Sequence, residues 1–230
     1  AACAIGSRYR GQPIGSHGDL VCFSFHPRKV ITTGEGGMIT TNRADYAERL
    51  RLLRQHGMSV SDAVRHSSRK VVIEQYTCLG YNYRMTDIQA AIGIEQMKRL
   101  PGIVARRREI AARYTEALQD HPWLRPPYVP EEADHNFQSY AVTLSAEAPC
   151  SRDELMQSLL EQGIATRRGI MLAHLEPACA DLPASVLPRS EEASHRSFLL
   201  PLYPQMTDDE QQQVITALRN ADKVRGGLAA

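Results

Sequence analysis

The segment VCFSFHPRKVITTGEGGMITT, Val21–Thr41, decides the fold that the sequence predicts. It includes most of one apolar run, 20–25, and all of a second, 37–41, and both runs are rich in strand-forming residues. Between them, Lys29 follows a proline and precedes a glycine-rich loop, and the short connection predicts that the two strands are neighbours. The segment therefore raises the question whether Lys29 is an ordinary solvated charge at a strand end or a catalytic amine.

Lys29 has neighbours that suit a particular chemistry. A lysine is a nucleophile only when its amine loses its proton, which burial or a nearby cation favours, although most lysines at strand ends are solvated. Ser24 precedes it on the same strand, where a hydroxyl and backbone N–H groups can hold a phosphate. The glycines of 34–37 allow a ligand to approach the backbone, although a plain turn is the more common meaning of this pattern. Together these residues suit pyridoxal phosphate, with Lys29 forming the Schiff base and Ser24 anchoring the phosphate.

The composition is that of an ordinary globular protein. The 230 residues suit one large or two modest domains, and 43% of them are hydrophobic while 23% are charged. A formal net charge of +1 gives no indication of nucleic acid or a membrane as the main partner. No apolar run approaches the ~20 residues of a spanning helix, and the first residues lack the apolar core of a secretory signal.

The five cysteines are scattered along the chain, at Cys3, Cys22, Cys78, Cys150 and Cys179. Without a CxxC pair they predict neither a zinc ribbon nor a redox motif, so we expect no metal site. Their spacing favours a reducing cytoplasm, in which each cysteine is a small buried hydrophobic residue.

Helical spacing and capping patterns predict the elements of the first half. A helix is predicted over 44–55, followed by a long loop over 58–79. A capping box predicts that a second helix starts at Asp87. Pro101 should end or kink that helix, and another long helix should follow over 106–118.

The second half has a different order of predicted strands and helices. It begins after the proline-rich segment 122–132, which is the best candidate for a linker. The predicted elements beyond it are a strand over 137–144, a helix over 151–163, a short strand over 164–166, a helix over 190–199 and a helix over 207–220. This order predicts a small α/β or α+β layer.

Four segments together resemble the DegT/DnrJ/StrS family of sugar aminotransferases. They are, in the order found in the family, GSHGDLVCFSFHPRKVITTGEGGMITT (15–41), LRQHGM (53–58), GYNYRMTDIQAAIGIEQMKRL (80–100) and LPLYPQMTDDEQQQVITAL (200–218). The resemblance extends from Ala1 to about Asn220. The Lys29 block and the GYNYRM block are highly specific when they occur together.

The resemblance implies an α/β fold of the aspartate aminotransferase type, fold type I of the PLP-dependent transferases. Residues 1–104 would form the C-terminal part of the large cofactor-binding domain, and residues 105–230 the small domain that closes over it. Lys29 is implied to form the internal aldimine with pyridoxal 5′-phosphate and to move the proton between Cα and C4′, and Ser24 to bind the phosphate. Asn82 corresponds to a residue that reaches the cofactor phosphate of the neighbouring subunit, so a homodimer with shared active sites is expected.

Two departures from the family pattern affect the expected site. The aspartate that pairs with the pyridine nitrogen would stand immediately before Ala1, and the aromatic residue that stacks on the ring earlier still. The chain, which does not begin with Met, is therefore expected to be the C-terminal portion of a longer protein, to expose apolar sheet surface and to lack activity alone. Many members carry a cofactor-contacting Gln where this chain has Cys3, so Cys3 is either a further candidate cofactor contact, as a subgroup difference, or a harmless substitution.

The resemblance also implies the reaction. Family members mostly transfer an amino group, often from glutamate or glutamine, to a nucleotide-linked keto-sugar, and the TTGEGGM and HGMS segments are most similar to perosamine-synthase-like members. Candidate sugar-diphosphate contacts in the small domain are His135, Arg168 and His174, with Gln138 and Arg167 near them. Each of these also has an ordinary interpretation as a surface charge or a capping contact.

Two alternatives remain open from the sequence. The chain also fits an aminotransferase that acts on keto-cyclitols, and it fits a regulatory family member without catalysis. A third branch, in which histidine replaces the lysine and the enzyme is a dehydratase, is disfavoured by Lys29. His26, Arg28 and Arg84 lie near the motif positions but receive no role from the resemblance.

Overall fold

A computed structural model gives the fold of the chain. It describes the ranges 1–60, 62–181 and 186–221. The contacts divide the chain into two compact units, of which the first contains Ala1–Gly102 and Glu131–Asn136 and the second contains Ile103–Pro130 and Phe137–Ala230. The sequence-based boundary at residue 104 assigned Glu131–Asn136 to the small domain, whereas these residues pack with the first unit. Whether the two units are the domains of the whole protein stays a prediction.

The elements follow in chain order. The strands are β1 (Arg8–Tyr9), β2 (Gln12–Pro13), β3 (Val21–Ser24), β4 (Gly37–Thr40), β5 (Leu124–Arg125), β6 (Ala133–Asp134), β7 (Tyr140–Leu144), β8 (Arg167–Arg168) and β9 (Ser197–Leu200). The α-helices are α1 (Ala44–Leu53), α2 (Asp62–Ser67), α3 (Asp87–Leu118), α4 (Arg152–Glu161), α5 (Pro188–Arg196) and α6 (Asp208–Arg219). Two short 3₁₀ turns, Ala173–Leu175 and Pro177–Cys179, lie between β8 and α5.

The helices of the first half differ from their predicted form in two places. Helix α3 continues through Pro101 as one α-helix to Leu118, so a helix end at Pro101 is wrong, whereas a kink there stays a prediction. Pro101 lies on an exposed face, where the backbone carbonyl that loses its intrahelical partner can be hydrated. The predicted loop 58–79 contains the short helix α2, whose six residues are too few to show a helical period.

The strands of the second half also differ from the prediction. The segment 164–166 is not a strand, and pairing begins only at Arg167 with β8. The predicted helix over 190–199 ends at Arg196, and the apolar residues after it form strand β9. Period alone does not separate a short apolar strand from the end of a helix, and here pairing with β7 and β8 decides the outcome.

The second unit contains the hydrophobic core. Its four-stranded antiparallel sheet has the order β5–β7–β9–β8, and the alternate residues Tyr140, Val142 and Leu144 of β7 are buried. Helix α4 begins with a capping box at Ser151 and α6 with one at Thr207, as the sequence predicted. The core cluster runs from Ile110 of α3 to Ala221, just after α6, and lies wholly within this unit.

The first unit has two small sheets. Strands β3 and β4 form a two-stranded antiparallel pair, with Ser24 opposite Gly37, which confirms that the two predicted strands are neighbours. Strands β2, β1 and β6 form the other sheet. Met38 and Ile39 of β4 are 48% and 43% exposed, so the pair leaves apolar surface uncovered, as expected. Within the described ranges, none of the helices combines the length and apolar character that crossing a bilayer requires.

The cysteines are not all buried. Cys3 and Cys22 are exposed, while the other three are partly buried, so the prediction that each is a small buried hydrophobic residue is wrong. Alternate side chains of a strand point to opposite faces, and Cys22 lies on the face of β3 opposite to the partly buried Val21 and Phe23. Among the described residues, no group of three or more His, Cys, Asp and Glu is arranged to hold a metal ion.

Candidate active site

Lys29 lies in a turn that the β3–β4 pair fixes at its base. The N–H of Phe25 donates to the carbonyl of Gly36 at 2.8 Å, and the N–H of Thr33 donates to the carbonyl of Phe25 at 3.1 Å. Within the loop, the Lys29 N–H donates to the His26 carbonyl at 2.9 Å. This closes a four-residue β-turn with Pro27 at its second position, which the fixed φ of proline favours.

The turn places the Lys29 amine next to a thiol. Lys29 is partly buried and is followed by the buried residues Val30 and Ile31, which anchor the chain beside it. Its Nζ donates to Sγ of Cys3 at 3.1 Å. Among the described residues this thiol is the one hydrogen-bond partner of the amine, and no carboxylate forms an ion pair with it. The amine is therefore not tied to a carboxylate within the described part of the chain.

Cys3 is held in place by Asn136, which the sequence analysis missed. The Asn136 side chain is 1% exposed, and its Nδ2 donates to the carbonyl oxygens of Cys3 and Ile5, each at 2.8 Å. Its backbone N–H donates to Oγ of Ser7 at 3.0 Å. No sequence signal marks Asn136, because it lies in a loop 133 positions from Cys3. These three bonds fix the segment that presents the thiol to Lys29.

Ser24 lies at the end of β3, on the same hairpin as Lys29. Its Oγ accepts a hydrogen bond from the N–H of His26 at 3.3 Å, and the side chain is partly buried. Nδ1 of His26 accepts from the N–H of Arg28 at 3.1 Å, so the neutral ring carries its proton on Nε2. That nitrogen lies 3.9 Å from Oε1 of Glu35. A hydroxyl, an imidazole and backbone N–H groups thus lie close to one another.

Close contacts with neighbouring atoms explain in part why the loop 34–37 is rich in glycine. A Cβ on Gly36 would lie 2.6 Å from Oγ1 of Thr33, and a Cβ on Gly37 would lie 2.8 Å from the backbone oxygen of Phe23. Gly34 has φ +84°, a conformation that glycine adopts without strain. At Gly36 and Gly37 the structure therefore gives the glycines a role in the turn itself.

Asn82 lies in an extended segment beside the residues after α1. The N–H of His56 donates to the Tyr81 carbonyl, and that of Tyr83 to the Arg54 carbonyl, each at 2.9 Å. The rings of Tyr81 and Tyr83 stack with centroids 5.2 Å apart. Asn82 is exposed, and its side chain has no hydrogen bond within the described part of the chain. Its amide is available to a group outside this chain.

Glycines allow the LRQHGM and GYNYRM segments to approach each other. A Cβ on Gly57 would lie 2.0 Å from the carbonyl oxygen of Cys78, and a Cβ on Gly80 would lie 2.2 Å from the backbone nitrogen of Gly57. Any side chain at either position would push the backbones apart. These two motif glycines therefore set the position of Asn82.

The three candidate sugar contacts fall into different units. His135 is exposed and belongs to the first unit, next to Asn136. Arg168 and His174 belong to the second unit, where each contacts a carboxylate: Arg168 contacts Glu176 at 3.2 Å, and His174 contacts Glu191 at 3.1 Å. The contacts of Arg168 and His174 agree with the ordinary interpretation of these residues.

Glu191, the residue that contacts His174, is stabilised as a carboxylate. Its Oε1 accepts from the His174 ring and from the N–H of Leu187, both at 3.1 Å. The His174 ring and, after it, the Leu187 N–H hold the pKa of Glu191 below its ordinary value. The ring therefore faces an anion and not an empty pocket.

The residues around Lys29 fit pyridoxal phosphate by their chemistry. A primary amine without a carboxylate partner is the group that the aldehyde of this cofactor requires. Ser24 and the backbone N–H groups of the hairpin supply donors of the kind that bind a phosphate. The donor set is therefore compatible with the cofactor that the sequence predicts.

Comparison with known proteins points to the same family. The model of the DegT/DnrJ/EryC1/StrS aminotransferase family matches residues 1–219. The spore coat polysaccharide biosynthesis protein SpsC of Bacillus subtilis is 36% identical over 228 residues, which are 97% of this chain and 59% of that protein. The chain thus spans about three fifths of the length of the curated relatives that it matches.

Solved structures show the same relationship. The aminotransferase TlmJ from Streptoalloteichus hindustanus superimposes with a TM-score of 0.84 at 31% identity, over 98% of this chain and 58% of that one. The protein Spr1654 from Streptococcus pneumoniae, in its PMP form, gives a TM-score of 0.86 at 27% identity, over 97% of this chain and 58% of that one. The fold is therefore that of the fold-type-I PLP-dependent transferases, which confirms the predicted fold class, and the chain belongs to the DegT/DnrJ/EryC1/StrS aminotransferase family.

Proposed function

We propose that the protein containing this chain is a PLP-dependent aminotransferase that transfers an amino group from an amino acid, glutamate first among the candidates, to a nucleotide-linked keto-sugar. Its product would serve amino-sugar or polysaccharide biosynthesis in the cytoplasm. The observation that carries the proposal is the Lys29 amine, which a fixed turn presents next to Cys3 without a carboxylate partner. The relative SpsC, described as a polysaccharide biosynthesis protein, and the PLP and PMP forms of Spr1654 support it.

Each proposed site residue has a distinct task. When bound, pyridoxal phosphate supplies an electron sink for the electrons of the broken Cα–H bond. Nζ of Lys29 would hold the cofactor and would move the proton of the donor Cα as general base and general acid, which requires a neutral amine. Ser24 donates its hydroxyl proton to a phosphate oxygen. The Cys3 thiol contacts Nζ and would orient the amine.

The partner proposed for this site is a second copy of the chain. The amide of Asn82 is exposed on a segment that two motif glycines hold against the end of α1. An amide in this setting can donate to a phosphate across a subunit interface, which a homodimer with shared active sites would provide.

The sugar-diphosphate contacts of His135, Arg168 and His174 stay predictions. An incoming diphosphate has to compete with Glu176 for Arg168 and with Glu191 for His174, because both pairs are already formed. His135 lies in the first unit, directly before the residue that fixes Cys3.

Borohydride reduction of the full-length protein tests the role of Lys29. We expect the absorbance of bound pyridoxal phosphate to be fixed covalently on the peptide that contains Lys29, and to be lost in Lys29→Arg. A matched control is Lys98→Arg, because Lys98 is exposed and pairs with Glu95 on helix α3. Fixation on another lysine, or equal fixation in Lys29→Arg, would contradict the assignment.

The substrate is tested in the same protein with glutamate as donor. We expect turnover with a 4-keto-6-deoxy sugar nucleotide, and turnover with a keto-cyclitol alone would show that the aminocyclitol alternative is right. If the biological output of the full-length protein persists in Lys29→Ala, the regulatory alternative is right.

For residues 1–230 alone we expect no transamination, because the β3–β4 pair leaves apolar surface uncovered.

A further inference from the structure

Two nucleophiles of the first unit are in direct contact. Sγ of Cys3 lies 3.1 Å from Nζ of Lys29. Among the described residues, Cys3 is the one cysteine with a hydrogen bond to a lysine, since Lys70 and Lys98 have other contacts. This contact does more than hold the amine, because a thiol and an amine at this distance can also react with each other once the sulfur is oxidised.

Neighbouring residues fix the positions of both Cys3 and Lys29. The carbonyl of Cys3 is bound by the buried side chain of Asn136. On the other side, the buried residues Val30 and Ile31 anchor the turn that carries Lys29. The two side chains therefore meet repeatedly in the same geometry, which raises their effective concentration toward each other far above that of any thiol or amine in solution.

The sulfur is also accessible to a small oxidant. Cys3 is exposed, and Lys29 is only partly buried. Cys22 provides an internal comparison, because it is equally classed as exposed but has no lysine contact among the described residues. Exposure alone would make the two cysteines behave alike, whereas the amine next to Cys3 sets it apart.

We propose that hydrogen peroxide converts this pair into a covalent sulfenamide cross-link between Sγ of Cys3 and Nζ of Lys29. In the first step the thiol reacts with hydrogen peroxide to give a sulfenic acid and water, so that sulfur is oxidised by two electrons and the O–O bond of the peroxide is cleaved with reduction of both oxygens. In the second step the neutral amine attacks that sulfur, an S–N bond forms, and hydroxide leaves and takes the amine proton as a second water. The reaction is reversed by two thiols, which restore Cys–SH and the free amine and become a disulfide.

The consequence for activity rests on the proposed function. An Nζ that is bonded to sulfur can neither carry pyridoxal phosphate nor move a proton, so oxidation would switch the site off until a thiol restores it. The bond would also protect both groups, because a sulfenic acid that is consumed by the amine does not proceed to the irreversible sulfinic acid.

The test uses the full-length protein freed of cofactor. The protein is treated with hydrogen peroxide, its remaining thiols are blocked, and tryptic peptides are analysed by mass spectrometry. We expect the peptide that contains Cys3 to be joined to residues 29–43, at a mass about 2 Da below the sum of the two peptides. The linked peptide should disappear with dithiothreitol, and its yield should rise with pH because only the neutral amine attacks.

Three variants make the result specific. Lys29→Arg keeps the positive charge but removes the reactive amine, so we expect no linked peptide and labelling of Cys3 by dimedone instead. Cys3→Ser should also give no linked peptide, and Cys22→Ser should give the same amount as the wild type. In the wild type, dimedone should label Cys22 but little Cys3.

Two results would overturn the proposal. One is equal dimedone labelling of Cys3 in the wild type and Lys29→Arg without any linked peptide. The other is a linked peptide found only with an additional oxygen, because a sulfenamide contains none. Because the mass is read without cofactor, it is independent of borohydride fixation on Lys29. If the linked peptide forms and no cofactor is ever fixed, the proposed function fails while the cross-link stands.

Discussion

Asn136 is the residue whose removal tests how the candidate site is held together. Its Nδ2 donates two hydrogen bonds of 2.8 Å to the carbonyl oxygens of Cys3 and Ile5. A typical intramolecular hydrogen bond contributes about 0.5–1.5 kcal/mol net, so Asn136→Ala should lower the free energy of opening of the N-terminal segment by about 1–3 kcal/mol. At about 1.4 kcal/mol per factor of ten, the segment should open about 5- to 150-fold more often.

Hydrogen exchange followed by mass spectrometry measures this opening in peptides that cover residues 1–14. These peptides include the N–H of Ser7, which donates to the Ala4 carbonyl at 3.0 Å. We expect faster exchange there and unchanged exchange in helix α6, which belongs to the second unit.

The matched control for Asn136→Ala is Asn42→Ala. The side chain of Asn42 also donates to a backbone carbonyl, that of Ser16 at 2.6 Å, but it is exposed and makes one such bond. We expect an effect below about 1 kcal/mol for this variant. Exchange over residues 1–14 within about twofold of the wild type in Asn136→Ala would show that the two bonds do not hold the segment, and the reasoning would be wrong.

Three further variants probe stability and the hairpin. Tyr114→Phe removes a buried hydroxyl that donates to the Pro201 carbonyl at 2.9 Å, and it should lower the free energy of unfolding, measured by urea denaturation, by about 1 kcal/mol. The Arg106 guanidinium holds the pKa of Asp208 below its ordinary value. Because the folded-state pKa is depressed, this stabilisation is present above the unfolded pKa of about 3.9, so the stability difference between the wild type and Asp208→Asn should be constant at neutral pH and should shrink as the pH falls below about 4. Gly36→Ala has to accommodate a methyl group 2.6 Å from a threonine hydroxyl at φ +154°, and it should destabilise the protein in thermal unfolding by more than about 1 kcal/mol.

Features that depend on neighbouring residues could be predicted from the sequence. The capping boxes at Ser151 and Thr207 join groups three residues apart, so the residue types alone specify both hydrogen bonds of each box. The β3–β4 pair is similar, because a short connection leaves two adjacent strands few other arrangements. The position of Lys29 follows from this pair and from the Pro27 turn.

Features that depend on distant contacts could not be predicted in this way. Strand β9 is a strand because Phe198 pairs with Val142 of β7 and Arg168 of β8, and the sequence around Phe198 alone fits a helix equally well. The approach of Asn136 to Cys3 likewise joins positions that are 133 residues apart. Family resemblance supplied a role for Cys3 toward the cofactor, whereas the structure adds its contact with the Lys29 amine.

The distribution of burial gives a physical reason for the importance of hydrogen bonds at the site. The hydrophobic core lies in the second unit, whereas the buried hydrophobic residues described in the first unit are Phe25, Val30, Ile31 and Met58. Apolar burial is the dominant stabilising term in folding, so the first unit has little of it to offset the entropy of ordering its loops. The N-terminal segment that carries Cys3 is therefore ordered chiefly by specific bonds, those of Asn136 above all, whereas the buried residues Val30 and Ile31 anchor the loop of Lys29. In such a region a single substitution changes the geometry of the amine before it changes the stability of the whole chain.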